Sequence, residues 1–160
     1  MEKQRFIRNL ILNLSGLAFA AKIPLFQGTI ASGLACAIYY FFTSNLSFLI
    51  FVLVILVISF PLSEAAEKIY RRKDPKEIVI DDFLGMCIAL LFVPQKISYI
   101  FICFVLFRIF DASKIYPANK IERLKGAWGI VGDDLVAGFY ANLAFHLSWW
   151  IFRIISSKGV

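Results

Sequence analysis

The chain has 160 residues, 60% of them hydrophobic and 16% aromatic, and a mean hydropathy of +0.76. A soluble domain is only about half apolar, so this composition excludes an ordinary soluble enzyme and points to a membrane. The formal charge of +6 then reads as membrane topology and attraction to anionic lipid rather than a nucleic-acid surface, because the basic residues are not interleaved with exposed aromatics on a soluble face.

No low-complexity run or Pro/Gly/Ser-rich linker divides the sequence, and its length suits one domain over residues 1–160. The opening "MEKQRFIRNLILNLSGLAFAAKIPLF" has a basic head and an apolar stretch broken by Asn13, Lys22 and Pro24, and "AFAAK" is a weak cleavage site. A retained, interfacial amphipathic segment is expected there rather than a signal peptide.

Next comes "TIASGLACAIYYFFTSNLSFLIFVLVILVISFPL", whose polar cluster is Thr43, Ser44, Asn45 and Ser47; this reads as a helical hairpin with its tip near "TSN". A charged connection, "SEAAEKIYRRKDPKE", leads to "IVIDDFLGMCIALLFV", "PQK" and "ISYIFICFVLFRIF", a second hairpin turned at Pro94. Its limbs are near the ~17-residue lower bound for a full crossing, so tilt, extension or re-entry is expected. The polar stretch "DASKIYPANKIERLKGAWG" precedes a last apolar run from about Ile130 to Ile155, long enough to span at ~1.5 Å per residue. The fold class expected is therefore all-α: a polytopic membrane bundle of about five membrane helices, two hairpins plus a final helix, behind the interfacial N-terminal segment.

Cys36, Cys87 and Cys103 lie in apolar segments without CxxC spacing and read as core thiols; the single His146, late in an apolar helix, reads as a packed or interfacial side chain. Short loops rich in Lys and Arg favour the cytoplasmic side. Lys3, Arg5 and Arg8, then Lys68, Arg71, Arg72, Lys73 and Lys76, then Lys114, Lys120, Arg123 and Lys125 all fall on one side of this topology, with only Lys96, Arg153 and Lys158 opposite.

The acids follow the same geography. Asp81 and Asp82 open the first limb of the second hairpin, Asp111 closes its second limb, and Asp133 and Asp134 open the final helix. "IVIDDFLGMCIALL" and "IVGDDLVAGFYANL" share six of fourteen positions, a faint internal repeat, and in both a glycine follows one turn later, Gly85 and Gly138, where a neighbouring helix can come close. Any one pair is explained by the helix dipole, which favours acids at a helix start. Five carboxylates meeting on one face repel unless a cation binds them, and a hard divalent ion such as Mg²⁺ suits oxygen ligands, waters and substrate phosphate. Asp81, Asp82, Asp111, Asp133 and Asp134 are thus the candidate catalytic and metal-binding residues. Arg108, Lys114 and the connecting-loop bases are placed to meet phosphate oxygens, and Gly28 with Thr29 and Ser32 opens the first hairpin helix on the same face. There Thr29 and backbone amides either cradle phosphate or simply cap the helix.

"QGTIASG", "KDPKEIVIDDFLGM", "FRIFDASKIYP" and "GIVGDDLVAG", in this order, resemble the phosphatidylglycerophosphatase A family from about Lys22 to Asn142. The resemblance implies a helical, Mg²⁺-dependent lipid phosphatase of the bacterial cytoplasmic membrane, removing the terminal phosphate of phosphatidylglycerophosphate to give phosphatidylglycerol, with Asp81, Asp82, Asp111, Lys114, Asp133 and Asp134 as its polar site. Gln27, Asp82 and "KIYP" depart from the family's usual Pro, Glu and Lys-Pro-Trp-Pro. The expected partners are the phospholipid substrate and membrane lipids, with no nucleic acid and no protein partner; the site is expected to face the cytoplasm. Attack by water and formation of an aspartyl phosphate both remain open. The competing readings are another lipid-phosphate enzyme, for which the CDP-phosphotransferase pattern is missing, and a non-enzymatic divalent-cation transporter or sensor.

Overall fold

The computed structural model describes residues 2–17, 26–73 and 75–158, the side chain of Lys158 excepted. All the regular structure in them is helical: α1 (Glu2–Ser15), α2 (Gln27–Tyr40), α3 (Asn45–Tyr70), α4 (Ile80–Ala89), α5 (Ile97–Ser113), the single turn α6 (Ala118–Ile121) and α7 (Ala127–Lys158). Lys22, Pro24 and the "AFAAK" stretch lie outside the described residues.

Both tips fall where the polar clusters put them. Ser44 caps α3, its hydroxyl accepting from the Ser47 amide at 3.2 Å, as N-cap serines do. Gln95, beside Pro94, donates through Nε2 to the carbonyls of Tyr39 (3.0 Å) and Phe42 (2.6 Å), so the tips of the two hairpins meet. Tyr39, Phe42, Phe48 and Phe51 close the first turn with edge-on and tilted ring contacts. Beyond that turn α2 and α3 diverge: α2 packs mainly on α4, and α3 on α1, α4 and α7.

α3 runs further than hydropathy suggests. It passes through Pro61 and takes in "SEAAEKIY", a good helix-forming stretch with an exposed Glu64–Lys68 pair at 2.7 Å. It ends on Arg71 in the left-handed conformation (φ 55°), so the connection begins eight residues later than the loss of hydropathy indicates. α7 likewise starts at Ala127, ahead of the apolar run.

Among the described residues two helices are long and apolar enough to cross a membrane, Asn45–Tyr70 and Ala127–Ser157. At ~1.5 Å per residue they exceed the ~30 Å hydrocarbon thickness. Both present apolar side chains outward: Ile50, Leu53, Val54 and Val57 on α3, and Phe139, Leu143, Leu147, Trp150 and Ile151 on α7.

The other limbs, α2, α4 and α5, are shorter, and α4 is the shortest of them. Ten residues give ~15 Å, half a crossing, and all but Asp82 and Ile88 are buried. The helix is a central plug, packed chiefly against α7 and also against α2, α3 and α5. A helix that stops inside an apolar body leaves carbonyls without partners. Asn142 Nδ2 donates to the carbonyls of Ala89 (3.1 Å) and Leu91 (2.8 Å), His146 Nε2 lies 3.1 Å from the Leu91 carbonyl, and the Tyr39 hydroxyl donates to that of Val93. His146 is thus a packed polar partner of the α4 terminus. The three cysteines are free, Cys87 and Cys103 buried and Cys36 partly so, which fits core thiols.

Candidate active site

The ends of the helices opposite the two tips enclose a polar cavity of about 910 Å³. Its wall includes Gly28 from the start of α2, Asp81 and Asp82 from the first turn of α4, Arg108 and Asp111 from the last turns of α5, Lys114 just after it, and Asp133 and Asp134 from α7. The five aspartates, distant in sequence, are brought to one place.

They divide into distinct environments. One carboxylate oxygen each from Asp81, Asp82 and Asp134 lies within 4.8 Å of the others. Asp81 and Asp134 are 8% and 5% exposed, and Asp134 interacts electrostatically with all four other aspartates. Among the described residues this is the grouping able to hold a metal ion, and its donors are oxygens, the set a hard divalent cation prefers. Asp111 is held to one side: Arg108 Nη1 bridges Asp82 Oδ1 (2.5 Å) and Asp111 Oδ2 (3.1 Å). Asp133 is held to another: Lys114 Nζ bonds Asp133 Oδ2 at 2.6 Å and Glu122 Oε1 at 3.0 Å. Burial presses the pKa of Lys114 down, but the hydrogen bond and charge of Asp133, then those of Glu122, outweigh it and leave the ammonium above the ordinary lysine value.

One expectation changes here. Asp133 and Asp134 do not open the final helix; α7 has already made more than a turn at Ala127–Gly132, so neither acid is a cap and the dipole explanation fails for this pair. Asp133 also has a cation beside it, Lys114, which lies nineteen residues earlier in the chain.

At the start of α2 the anion-binding geometry is present and already used. The Asp82 carboxylate lies where a β-carbon on Gly28 would stand, so glycine is what lets this charge approach the helix N-terminus. Thr29 neither lines the cavity nor caps the helix; the residue at the cap position is Phe26, which makes no side-chain cap. Ser32 turns back to the Gly28 carbonyl at 2.8 Å.

α4 and α7 cross with their backbones in contact. A β-carbon on Gly138 would fall on the carbonyl oxygen of Gly85, and one on Gly85 would meet the Asp134 carbonyl and the Phe107 ring, each at 2.7 Å. Asp81 precedes Gly85 by four residues and Asp134 precedes Gly138 by four. The helices therefore correspond through Asp81 and Asp134, one residue out of the register in which the two sequence words match.

Gln27, Arg72, Lys73, Lys76 and Glu77 also line the cavity. The loop bases carried a charge signal. Gln27 and Glu77 lie within the quoted motifs with nothing local to mark them as cavity residues, and Glu122 reaches Lys114 only through the fold.

An all-helical, largely apolar chain with paired carboxylates and cations enclosed at one end has the construction of a membrane-associated enzyme acting on charged headgroups. The phosphatidylglycerophosphatase A family profile matches residues 13–149, and the chain belongs to that family, one of phosphoric monoester hydrolases. It is 31% identical over 160 residues to a Bacteroides thetaiotaomicron protein provisionally described as a phosphatidylinositol-3-phosphatase, covering 94% of this chain and 99% of that one. It is 33% identical over 120 residues to Escherichia coli phosphatidylglycerophosphatase A (72% and 69% covered) and 36% identical over 81 residues to the Haemophilus influenzae protein of the same name (49% and 50%). No solved structure gives a significant match.

Proposed function

We propose that this protein is a Mg²⁺-dependent phosphatase that removes the terminal phosphate of phosphatidylglycerophosphate, giving phosphatidylglycerol, at the cytoplasmic face of a bacterial inner membrane. The observation that carries the reading is the convergence of Asp81, Asp82 and Asp134 within 4.8 Å of one another, beside Arg108 and Lys114 in one cavity. Carboxylates this close, two of them buried, repel strongly, and a bound divalent cation offsets that repulsion.

Asp81, Asp82 and Asp134 are the residues that would hold the ion. Bound there, it would neutralise phosphate charge and activate the attacking nucleophile as a Lewis acid. Arg108, held between Asp82 and Asp111, presents its remaining N–H donors to phosphate oxygens. Lys114 fixes Asp133 and keeps a positive charge at the cavity wall. Asp133 and Asp111 are the carboxylates left to accept a proton from the nucleophile or to position it, whether that nucleophile is water or a carboxylate. Gly28 gives Asp82 its place; Thr29 contributes only as its neighbour in the first turn.

The remaining limbs, α2, α4 and α5, complete a multi-pass bundle in which α4 enters without crossing. Basic residues crowd the cavity end, as positive-inside orientation requires of a cytoplasmic face.

A second substrate is favoured by one observation: the Bacteroides relative is described as acting on a phosphoinositide. Phosphate release from phosphatidylglycerophosphate and from phosphatidylinositol 3-phosphate in neutral detergent, after EDTA and after adding back Mg²⁺ or Zn²⁺, tests both points. The expected result is release from phosphatidylglycerophosphate that is lost on chelation and restored by Mg²⁺ but poorly by Zn²⁺. Full activity after exhaustive chelation removes the metal role, and preference for the inositol lipid replaces the substrate.

A further inference from the structure

The cavity wall is divided in its chemistry. Six carboxylates and five cations line it, yet three of the cations are committed: Arg108 to Asp82 and Asp111, Lys114 to Asp133 and Glu122, and Arg72 to Glu77. Lys73 and Lys76 also line the cavity, and neither enters an ion pair among the described residues. Both come from the connection between α3 and α4, whereas all five aspartates come from α4, α5 and α7.

Residues 75–79 of this connection are anchored rather than loose. Pro75, Ile78 and Val79 are buried on either side of Lys76. The Ile78 amide donates to the Pro75 carbonyl at 2.9 Å, and the Val79 amide to the Ser15 carbonyl of the α1 terminus at 3.0 Å. The backbone that presents Lys76 is therefore pinned to the core and to α1, so less ordering is needed when an anion binds. On the phosphatase reading the carboxylate cluster takes a cation and, with it, one phosphate. Lys73 and Lys76, exposed at the cavity wall, offer uncommitted charge to a second anion, and the cavity, at the upper end of the ~300–1,000 Å³ typical of ligand sites, has room for a headgroup carrying both.

We propose that Lys73 and Lys76 form a second anion subsite that takes the phosphodiester of the same lipid whose terminal phosphomonoester lies at the aspartates. This rests on the lipid-phosphatase reading above and adds the source of headgroup selectivity: a lipid with two separated phosphates fills both subsites, and one with a single phosphate fills only the aspartate end. Charge-assisted hydrogen bonds lost from the second subsite correspond to about 10- to 100-fold in affinity.

Two arms test it. In neutral detergent, kcat/KM is measured on phosphatidylglycerophosphate and on phosphatidic acid, a phosphomonoester lipid with no phosphodiester. The Lys73→Ala/Lys76→Ala protein should lose about 10- to 100-fold on the first, mainly through KM, and almost nothing on the second. Equal losses on both would make the lysines a general lipid-surface contact, and no loss on either would make them bystanders; both results overturn the proposal. The second arm needs no turnover: in the Asp134→Asn protein, acylation of Lys73 and Lys76 by an amine reagent is followed by mass spectrometry. Phosphatidylglycerophosphate should slow it, whereas phosphatidic acid and inorganic phosphate should not. Equal protection by all three, or by none, overturns the subsite even if the wild-type protein hydrolyses neither lipid, an outcome in the first arm that would instead remove the phosphatase reading.

Discussion

The carbonyl oxygen of Gly85 occupies the position that a β-carbon on Gly138 would need, so α4 and α7 meet backbone to backbone one turn beyond the aspartates they carry. In an apolar body, where helices associate through close packing more than through exclusion of water, small residues at a crossing set how near the helices approach. Here that approach also sets the spacing of Asp81 and Asp134, since each stands four residues before its glycine.

Gly138→Ala should therefore cost about 1–3 kcal/mol by overpacking and should also weaken the site by pushing its carboxylates apart. Gly33→Ala is the matched control. A β-carbon there meets nothing within 4 Å, and in a helix the change should stabilise by about 0.4–1 kcal/mol. Thermal unfolding in detergent with activity per folded protein checks both; a Gly138→Ala protein of unchanged stability and activity would contradict the crossing.

Asn replaces Asp with little change in shape but removes the charge. At Asp81, Asp82 or Asp134 it should reduce turnover by about a hundredfold or more, the scale of losing one electrostatic catalytic contact. Asp133→Asn leaves Lys114 with Glu122 as its remaining acidic partner and should also impair the enzyme. Glu64→Gln, which breaks only an exposed pair on α3, should do nothing measurable. Near-normal rates for every Asp→Asn protein would return the cluster to a structural role.

The end of α4 gives a prediction about stability alone. Asn142→Leu leaves the Ala89 and Leu91 carbonyls short of the donor they share, at a cost of about 1–3 kcal/mol for unsatisfied buried groups. His146→Leu removes a second partner of the Leu91 carbonyl. Both should lower the unfolding temperature while leaving KM unchanged, because neither residue lines the cavity. A large rise in KM without loss of stability would mean that these side chains act on substrate.

Sidedness follows from the fold and from charge together. On a cysteine-free background, cysteines at Arg72 and Arg123 should label from the cytoplasmic side and those at Asn45 and Lys96 from the other. Labelling of Arg72→Cys and Asn45→Cys from the same side would remove the multi-pass arrangement, whatever the enzymology shows.

Hydropathy, turn residues and charge are sums over neighbours in the chain, and they made the all-helical character, the tips near Asn45 and Pro94, and the collection of five aspartates at one end legible without coordinates. The four quoted motifs likewise carried the family. Other features depend on which way a side chain faces. Successive residues of an α-helix point ~100° apart, so the adjacent Asp133 and Asp134 part company: one turns to Lys114, the other to Asp81 and Asp82. No local pattern reports that rotation, because it is fixed by the Gly85–Gly138 crossing. The same holds for Asp82, whose partner Arg108 is twenty-six residues away, and for α4, whose apolar sequence resembles a spanning limb. Only the packing of its neighbours, with Asn142 and His146 bonded to the carbonyls at and just beyond its end, decides that it ends after ten residues.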